Sequence, residues 1–190
     1  MNRTEPIRDK KMIEMMKMYL RNQSTRNYLL FVFGINSNLR IGDILSLRVK
    51  DVWSNRTVLK HILIKEQKTG KLKKVRLNES IVAAIKEHIK TNHLQPEDYL
   101  FQSKTSRYGN KPIDRVTAFR ILSEAGERVG LPEPVSPHSL RKTWGYWAWK
   151  QGIALPLIME ALNHSNQSIT RRYLGINQDE LDDAYMELNL

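Results

Sequence analysis

A chain of 190 residues carrying 31 Lys+Arg against 20 Asp+Glu, a formal charge of +11 and a pI near 9.9, is most simply one domain suited to a polyanionic partner. With no cysteine, a disulfide framework, a thiolate zinc site and a cysteine nucleophile are all excluded. The longest apolar run, residues 28–35, is too short to span a bilayer, and residues 1–11 hold no signal-type apolar core, so nucleic acid in the cytoplasm is expected ahead of an anionic membrane surface.

Residues 8–22 place Met12, Ile13, Met16 and Leu20 at helical spacing, which predicts an opening helix. Ser24 and Thr25 are cap candidates for a second helix through Tyr28, Leu29, Leu30, Val32 and Phe33, apolar nearly all round and therefore buried. Gly34 to Asn38 is expected to break or bend it before a short helical stretch, Leu-Arg-Ile-Gly-Asp-Ile-Leu-Ser-Leu, in which Asp43 follows Arg40 by three. On composition alone that pair is a surface ion pair worth about 0–1 kcal/mol.

Residues 52–53, 58–64 and 72–77 are β-rich and separated by Ser54-Asn55 and Lys68-Thr69-Gly70, predicting a three-stranded antiparallel sheet with two turns. In the segment KEQKTGKLKK, Lys65, Lys71 and Lys73 read equally as DNA-backbone contacts and as a charged sheet edge that resists aggregation. Asn78 caps a helix through Ile89, where His88 reads as an ordinary polar residue. Residues 103–112 form a polar loop whose Lys104, Arg107 and Lys111 either follow a DNA backbone or are simply solvated. Asp114 then caps a helix ending near Gly130.

Ser136-Pro137 is a helix start, and His138 and Arg141 fall in its opening turns, three apart and on one face, beside amides that favour an anion. Trp144 and Trp147 or Trp149 are expected to pack the domain centre, and Lys142 joins the candidate DNA contacts. Gly152 stops this helix, and Leu155-Pro156 opens another to Leu162. The acidic stretch 177–190 sets Leu181, Ala184, Tyr185 and Leu188 on one helical face that needs a groove, in its own subunit or another. The five histidines have no paired metal-ligand spacing, so no metal site is expected, and the chain contains no Gly-x-Ser-x-Gly elbow.

A lone His-x-x-Arg is weak evidence. The ordered set is not: Arg40 in LRIGD, Lys68 in KTG, HSLR, then Leu-Asn-His-Ser with His164, then Tyr173 nine residues on. Over residues 25–190 the chain resembles the catalytic domain of the tyrosine recombinases, the phage integrase family. The resemblance implies a fold that is mainly α with a small three-stranded antiparallel β-sheet, of the DNA breaking-rejoining type. It implies site-specific cutting and rejoining of double-stranded DNA through a 3′-phosphotyrosine, with neither metal nor ATP as cofactor. Tyr173 is then the nucleophile, Arg40 and Arg141 clamp the phosphate with Asp43 orienting Arg40, and His164 donates to the same phosphate. Lys68 is the general acid and His138 a base or orienter.

Two positions depart from the family pattern: Asn163 stands where glycine often precedes the histidine, and Asn38 near where glycine often precedes the arginine. Larger members also carry an N-terminal core-binding domain, which residues 1–24 do not supply. The expectation is therefore a single catalytic domain over 1–190 with 177–190 as a C-terminal helical tail, either a fragment of a longer integrase or a naturally short recombinase. As in relatives, tail exchange is expected to build a tetramer on DNA. The alternatives are a type IB topoisomerase-like enzyme, which shares the chemistry, and a non-catalytic DNA-binding protein, which would need the basic charge but not Tyr173.

Overall fold

The computed structural model describes residues 4–103, 110–176 and 185–186. Asp9 accepts from the Lys11 amide and starts α1 (Lys10–Gln23), which buries Ile13, Met16 and Leu20. Ser24 closes that helix and caps the next, accepting from the Asn27 amide, so α2 (Thr25–Ser37) follows without a linker. Phe31 and Phe33 of α2 are fully buried and form the centre of the domain. The expected break at Gly34 does not occur. The helix runs to Ser37, and a Cβ on Gly34 would collide with Leu140 from a helix crossing α2; glycine here permits a close approach. The turn waits for Asn38, which is left-handed at φ 54°.

Two short helices, α3 (Ile41–Leu45) and α4 (Val49–Val52), lead to the β-structure, whose named strands among the described residues form two separate two-stranded antiparallel pairs beside two isolated bridges. β1 (Trp53–Ser54) and β2 (Thr57–Val58) are joined by Asn55 and Arg56, both at positive φ as a type I′ hairpin requires. β3 (His61–Lys65) pairs with β4 (Leu72–Arg76), Ile62 opposite Val75. The single strand expected over 58–64 is thus split at Leu59-Lys60. Val58 pairs back to Trp53 while His61 onward pairs forward, so one three-stranded sheet never assembles.

Asn78 caps α5 (Glu79–Asn92) and Asp114 caps α6 (Arg115–Arg128), as expected. His88 is buried between Thr25 Oγ1 and the Leu100 carbonyl, each 2.9 Å away, a structural role. α7 (Pro137–Lys150) crosses α2 and carries the aromatic cluster. Tyr146 is its buried member, whereas Trp144, Trp147 and Trp149 are half-buried, so the domain centre belongs to α2 rather than to the tryptophans. Trp147 Nε1 instead donates to the Ile7 carbonyl at 3.0 Å, tying the N-terminal segment to α7. α8 (Leu155–Leu162) and α9 (Gln167–Leu174) pack on the far half of α7 through Ile158, Leu162 and Leu174. Among the described residues no helix is long and apolar enough to cross a membrane.

Candidate active site

Four turns bring the predicted side chains together. Asn38 ends α2 and aims Arg40, the N-cap of α3; the β3–β4 turn presents Lys68; Ser136 caps α7 and sets His138 and Arg141 in its opening turns; Asn163 ends α8 and presents His164. Asn38 and Asn163, the two departures from glycine, both adopt left-handed φ, 54° and 55°. Glycine meets that need without strain and asparagine is the next most tolerant residue, so the substitutions preserve the turns.

Arg40, Lys68, His138 and Arg141 line one cleft of about 490 Å³, together with Asp43 and Arg115. Arg141 is buried, donating through Nη2 to the Leu162 carbonyl at 2.7 Å. Its Nη1 is buried with no hydrogen-bond partner among the described residues. An unsatisfied guanidinium arm beside a cleft that also holds Arg40 is a pre-formed demand for an anion.

His164 and Tyr173 stand beside this cleft rather than in its lining. Their rings meet edge to face at 4.9 Å, and His164 Nδ1 lies 3.1 Å from Thr170 Oγ1. Burial pushes the Tyr173 phenol above its ordinary pKa, outweighing the Arg141 and Arg40 charges that act in the opposite sense, so the resting phenol is protonated. Desolvation together with Arg141 and Arg40 lowers the His164 pKa. The same forces, with Lys142 and Lys68 added, lower that of His138 at the cleft mouth, so both imidazoles favour the neutral form.

The remaining candidates divide. Asp43 does not pair with Arg40: its Oδ1 accepts from the Gln67 amide at 2.9 Å, anchoring the end of the β3–β4 hairpin. The carboxylate on Arg40 is Glu66, with Nη1 to Oε1 at 2.8 Å. Lys73 turns inward instead of toward a DNA backbone. It is half-buried and donates to the Ala161 carbonyl at 2.9 Å, its pKa lowered to about 8 by desolvation and by Arg141. Lys142 lies over the Tyr173 ring at 5.3 Å and donates to the Thr4 carbonyl. Lys65, Lys71 and Lys111 are exposed; Lys104 and Arg107 lie outside the described residues, as does residues 177–190 apart from exposed Tyr185 and Met186.

Sequence reasoning missed Glu66, Arg115 and Thr170. For Glu66 a signal existed: it continues the buried alternation of Ile62 and Ile64 by two, placing a carboxylate on an apolar face. Arg115, donating to Gln67 at 3.3 Å, and Thr170, on a helix not foreseen at all, carried none.

A model described as the phage integrase family matches residues 5–180. The probable integrase/recombinase YoeC of Bacillus subtilis is 43% identical over 185 residues, 97% of this chain and 97% of that protein. The tyrosine recombinase of Pseudothermotoga lettingae is 27% identical over 175 residues, 92% of this chain but 57% of its own. The crystal structure of the XerH site-specific recombinase bound to palindromic difH substrate, a post-cleavage complex, superposes with a TM-score of 0.75 at 22% identity, covering 96% of this chain and 52% of that one. The chain is thus as long as YoeC and spans about half of the other two.

Proposed function

The chain belongs to the phage integrase family, and on that premise we propose that it is a site-specific tyrosine recombinase whose reacting groups are Tyr173, Arg40, Arg141, His164, Lys68 and His138. The observation that carries this assignment is the buried, unpartnered Nη1 of Arg141 in a cleft shared with Arg40, Lys68 and His138. The partner is double-stranded DNA, by the net charge of +11 and by likeness to a recombinase solved on its difH site. We take its DNA, and so its site of action, to be in the cytoplasm.

A scissile phosphate in the cleft takes the free Arg141 arm and the remaining Arg40 donors, which neutralise charge building on the non-bridging oxygens. A Thr170 hydroxyl turned from the Asn166 carbonyl toward His164 Nδ1 leaves Nε2–H for the same phosphate. Tyr173 Oη attacks phosphorus, its proton passing toward His138, which is held neutral and able to accept. The bond from phosphorus to the 5′ oxygen breaks, and Lys68 protonates that oxygen. The 3′-phosphotyrosine retains the phosphoester energy, so a 5′-hydroxyl from another strand reverses the step without ATP. Residues 1–190 act as one catalytic domain, and 177–190 joins subunits into a tetramer on DNA.

Nicked suicide duplexes in EDTA test this reading. A denaturant-stable DNA–protein band from the parent, absent from Tyr173→Phe although it binds the duplex, is the expected result. Cleavage abolished by EDTA would transfer the activity to a metal-dependent nuclease. Strand exchange between paired sites separates a recombinase from a topoisomerase, and deletion of residues 178–190 is expected to abolish synaptic complexes.

A further inference from the structure

Glu66 is only 1% exposed and continues the buried face of Ile62 and Ile64, a place where a carboxylate needs polar partners. Its partners come from three different walls of the site. Oε1 accepts from Arg40 at 2.8 Å; Oε2 accepts from Thr69 Oγ1 at 2.6 Å and from Asn163 Nδ2 at 3.1 Å. Thr69 adjoins Lys68 and Asn163 adjoins His164. The Glu66 backbone also closes the turn around Lys68, its carbonyl accepting from Gly70 at 2.8 Å and its amide donating to Lys71 at 2.9 Å.

We propose that Glu66 is a positioning residue for strand cleavage: one buried carboxylate that holds Arg40, the Lys68 turn and the His164 turn in a fixed mutual geometry before DNA arrives. The inference rests on the recombinase reading above. The physical need is plain. Arg40, Arg141 and Lys73 crowd together: Arg141 and Arg40 both lower the Lys73 pKa, and Arg40 lowers that of Arg141. Without Glu66, Arg40 would have no carboxylate partner, since the other buried carboxylate, Asp43, accepts from the Gln67 amide; Arg40 would swing toward solvent, and the phosphate would have to recruit it during the reaction. With Glu66 present, the Arg40 fork is pre-set and the reorganisation is made during folding. The three arms come from positions 26 and 97 residues away from Glu66 in the case of Arg40 and Asn163, so no local turn could fix them together.

Glu66→Ala is expected to bind duplex DNA within about threefold of the parent while cleaving suicide duplexes about 100-fold more slowly, the scale set by misplaced preorganised donors. Glu66→Gln can keep the shape. Its amide oxygen faces Arg40, and its amide nitrogen faces a Thr69 hydroxyl turned to accept and an Asn163 amide flipped to offer oxygen. Only the charge is lost, so this variant is expected about tenfold below the parent and well above Glu66→Ala.

The decisive readout is coupling, which a merely structural role would not produce. Adding Glu66→Gln to Arg40→Ala should slow cleavage by less than about twofold, because the interaction is already gone. Additive slowing overturns the inference, as does parental cleavage by a folded Glu66→Ala protein. If Glu66→Ala does not fold, the Glu66→Gln cycle decides alone. An unmodified protein that forms no adduct overturns the recombinase reading and this inference with it; an adduct formed equally by parent and Glu66→Ala overturns this inference only.

Discussion

Gly145→Ala separates stability from catalysis, because the two respond to the added methyl with different weights. Gly145 lies in α7 where α9 passes, and a Cβ there would sit 2.5 Å from Leu174 Cδ2 and 3.6 Å from Leu162 Cδ1. Carbon atoms settle at about 3.5–4.0 Å, so one side must move by about 1 Å. Leu174 has no room to rotate away: it is fully buried among Ala148, Ile158 and Leu162. The movement therefore falls on α9, and the residue before Leu174 is Tyr173. Overpacking costs about 1–3 kcal/mol, while replacing a mid-helix glycine with alanine returns about 1 kcal/mol. The net loss of stability is about 0–2 kcal/mol, which leaves the protein folded. A nucleophile displaced by about 1 Å loses up to about 100-fold in rate. Urea denaturation and single-turnover cleavage of a suicide duplex, run on the same preparation, should show a modest shift in midpoint and a 10- to 100-fold slower adduct, with duplex affinity unchanged. Cleavage at the parental rate would show instead that Leu174 yields without carrying α9.

Arg141→Ala is expected to lose about 10²–10³ in cleavage rate with a small change in DNA affinity by gel shift. Arg141→Lys should not restore it, since one ammonium cannot serve both the Leu162 carbonyl and the phosphate. Lys68→Ala should fail on an ordinary duplex but recover on one with sulfur at the 5′ bridging position, because a thiolate leaves without a general acid; no recovery would remove Lys68 from that role. Lys73 releases its proton at about 8 in the folded chain and at about 10.5 unfolded. Between those values the unfolded chain binds more protons, so this group makes stability rise with pH. Urea titrations from pH 7.5 to 9.5 should show the parent gaining stability relative to Lys73→Met, and parallel profiles would contradict the assignment.

The helix starts were legible because capping is local. Ser24, Asn78, Asp114 and Ser136 each accept from an amide three residues on, and that pattern is written in adjacent letters. The set Arg40, Lys68, His138, Arg141, His164 and Tyr173 was read for a different reason, the order and spacing of LRIGD, KTG, HSLR, LNHS and a tyrosine nine residues on, while the helix that carries Tyr173 was not foreseen. Strand pairing was not, because the division at Leu59-Lys60 depends on which neighbour each half meets. The orienting role of Asp43 was what the resemblance implied for the acid three residues after Arg40, and neither resemblance nor spacing shows that a carboxylate 26 residues on can arrive from a strand end. Lys73 looked like any other lysine of a basic hairpin. The approach of the Ala161 and Asn38 carbonyls turns it inward.

In the proposed reaction Tyr173 carries the covalent bond to DNA. Trapping the adduct on a suicide duplex, digesting both protein and DNA, and sequencing the modified peptide by mass spectrometry tests it directly. The expected product is a 3′-phosphonucleotide on the phenol of Tyr173. A nucleotide on any other side chain, or a cleaved duplex with no nucleotide on the protein at all, would contradict it.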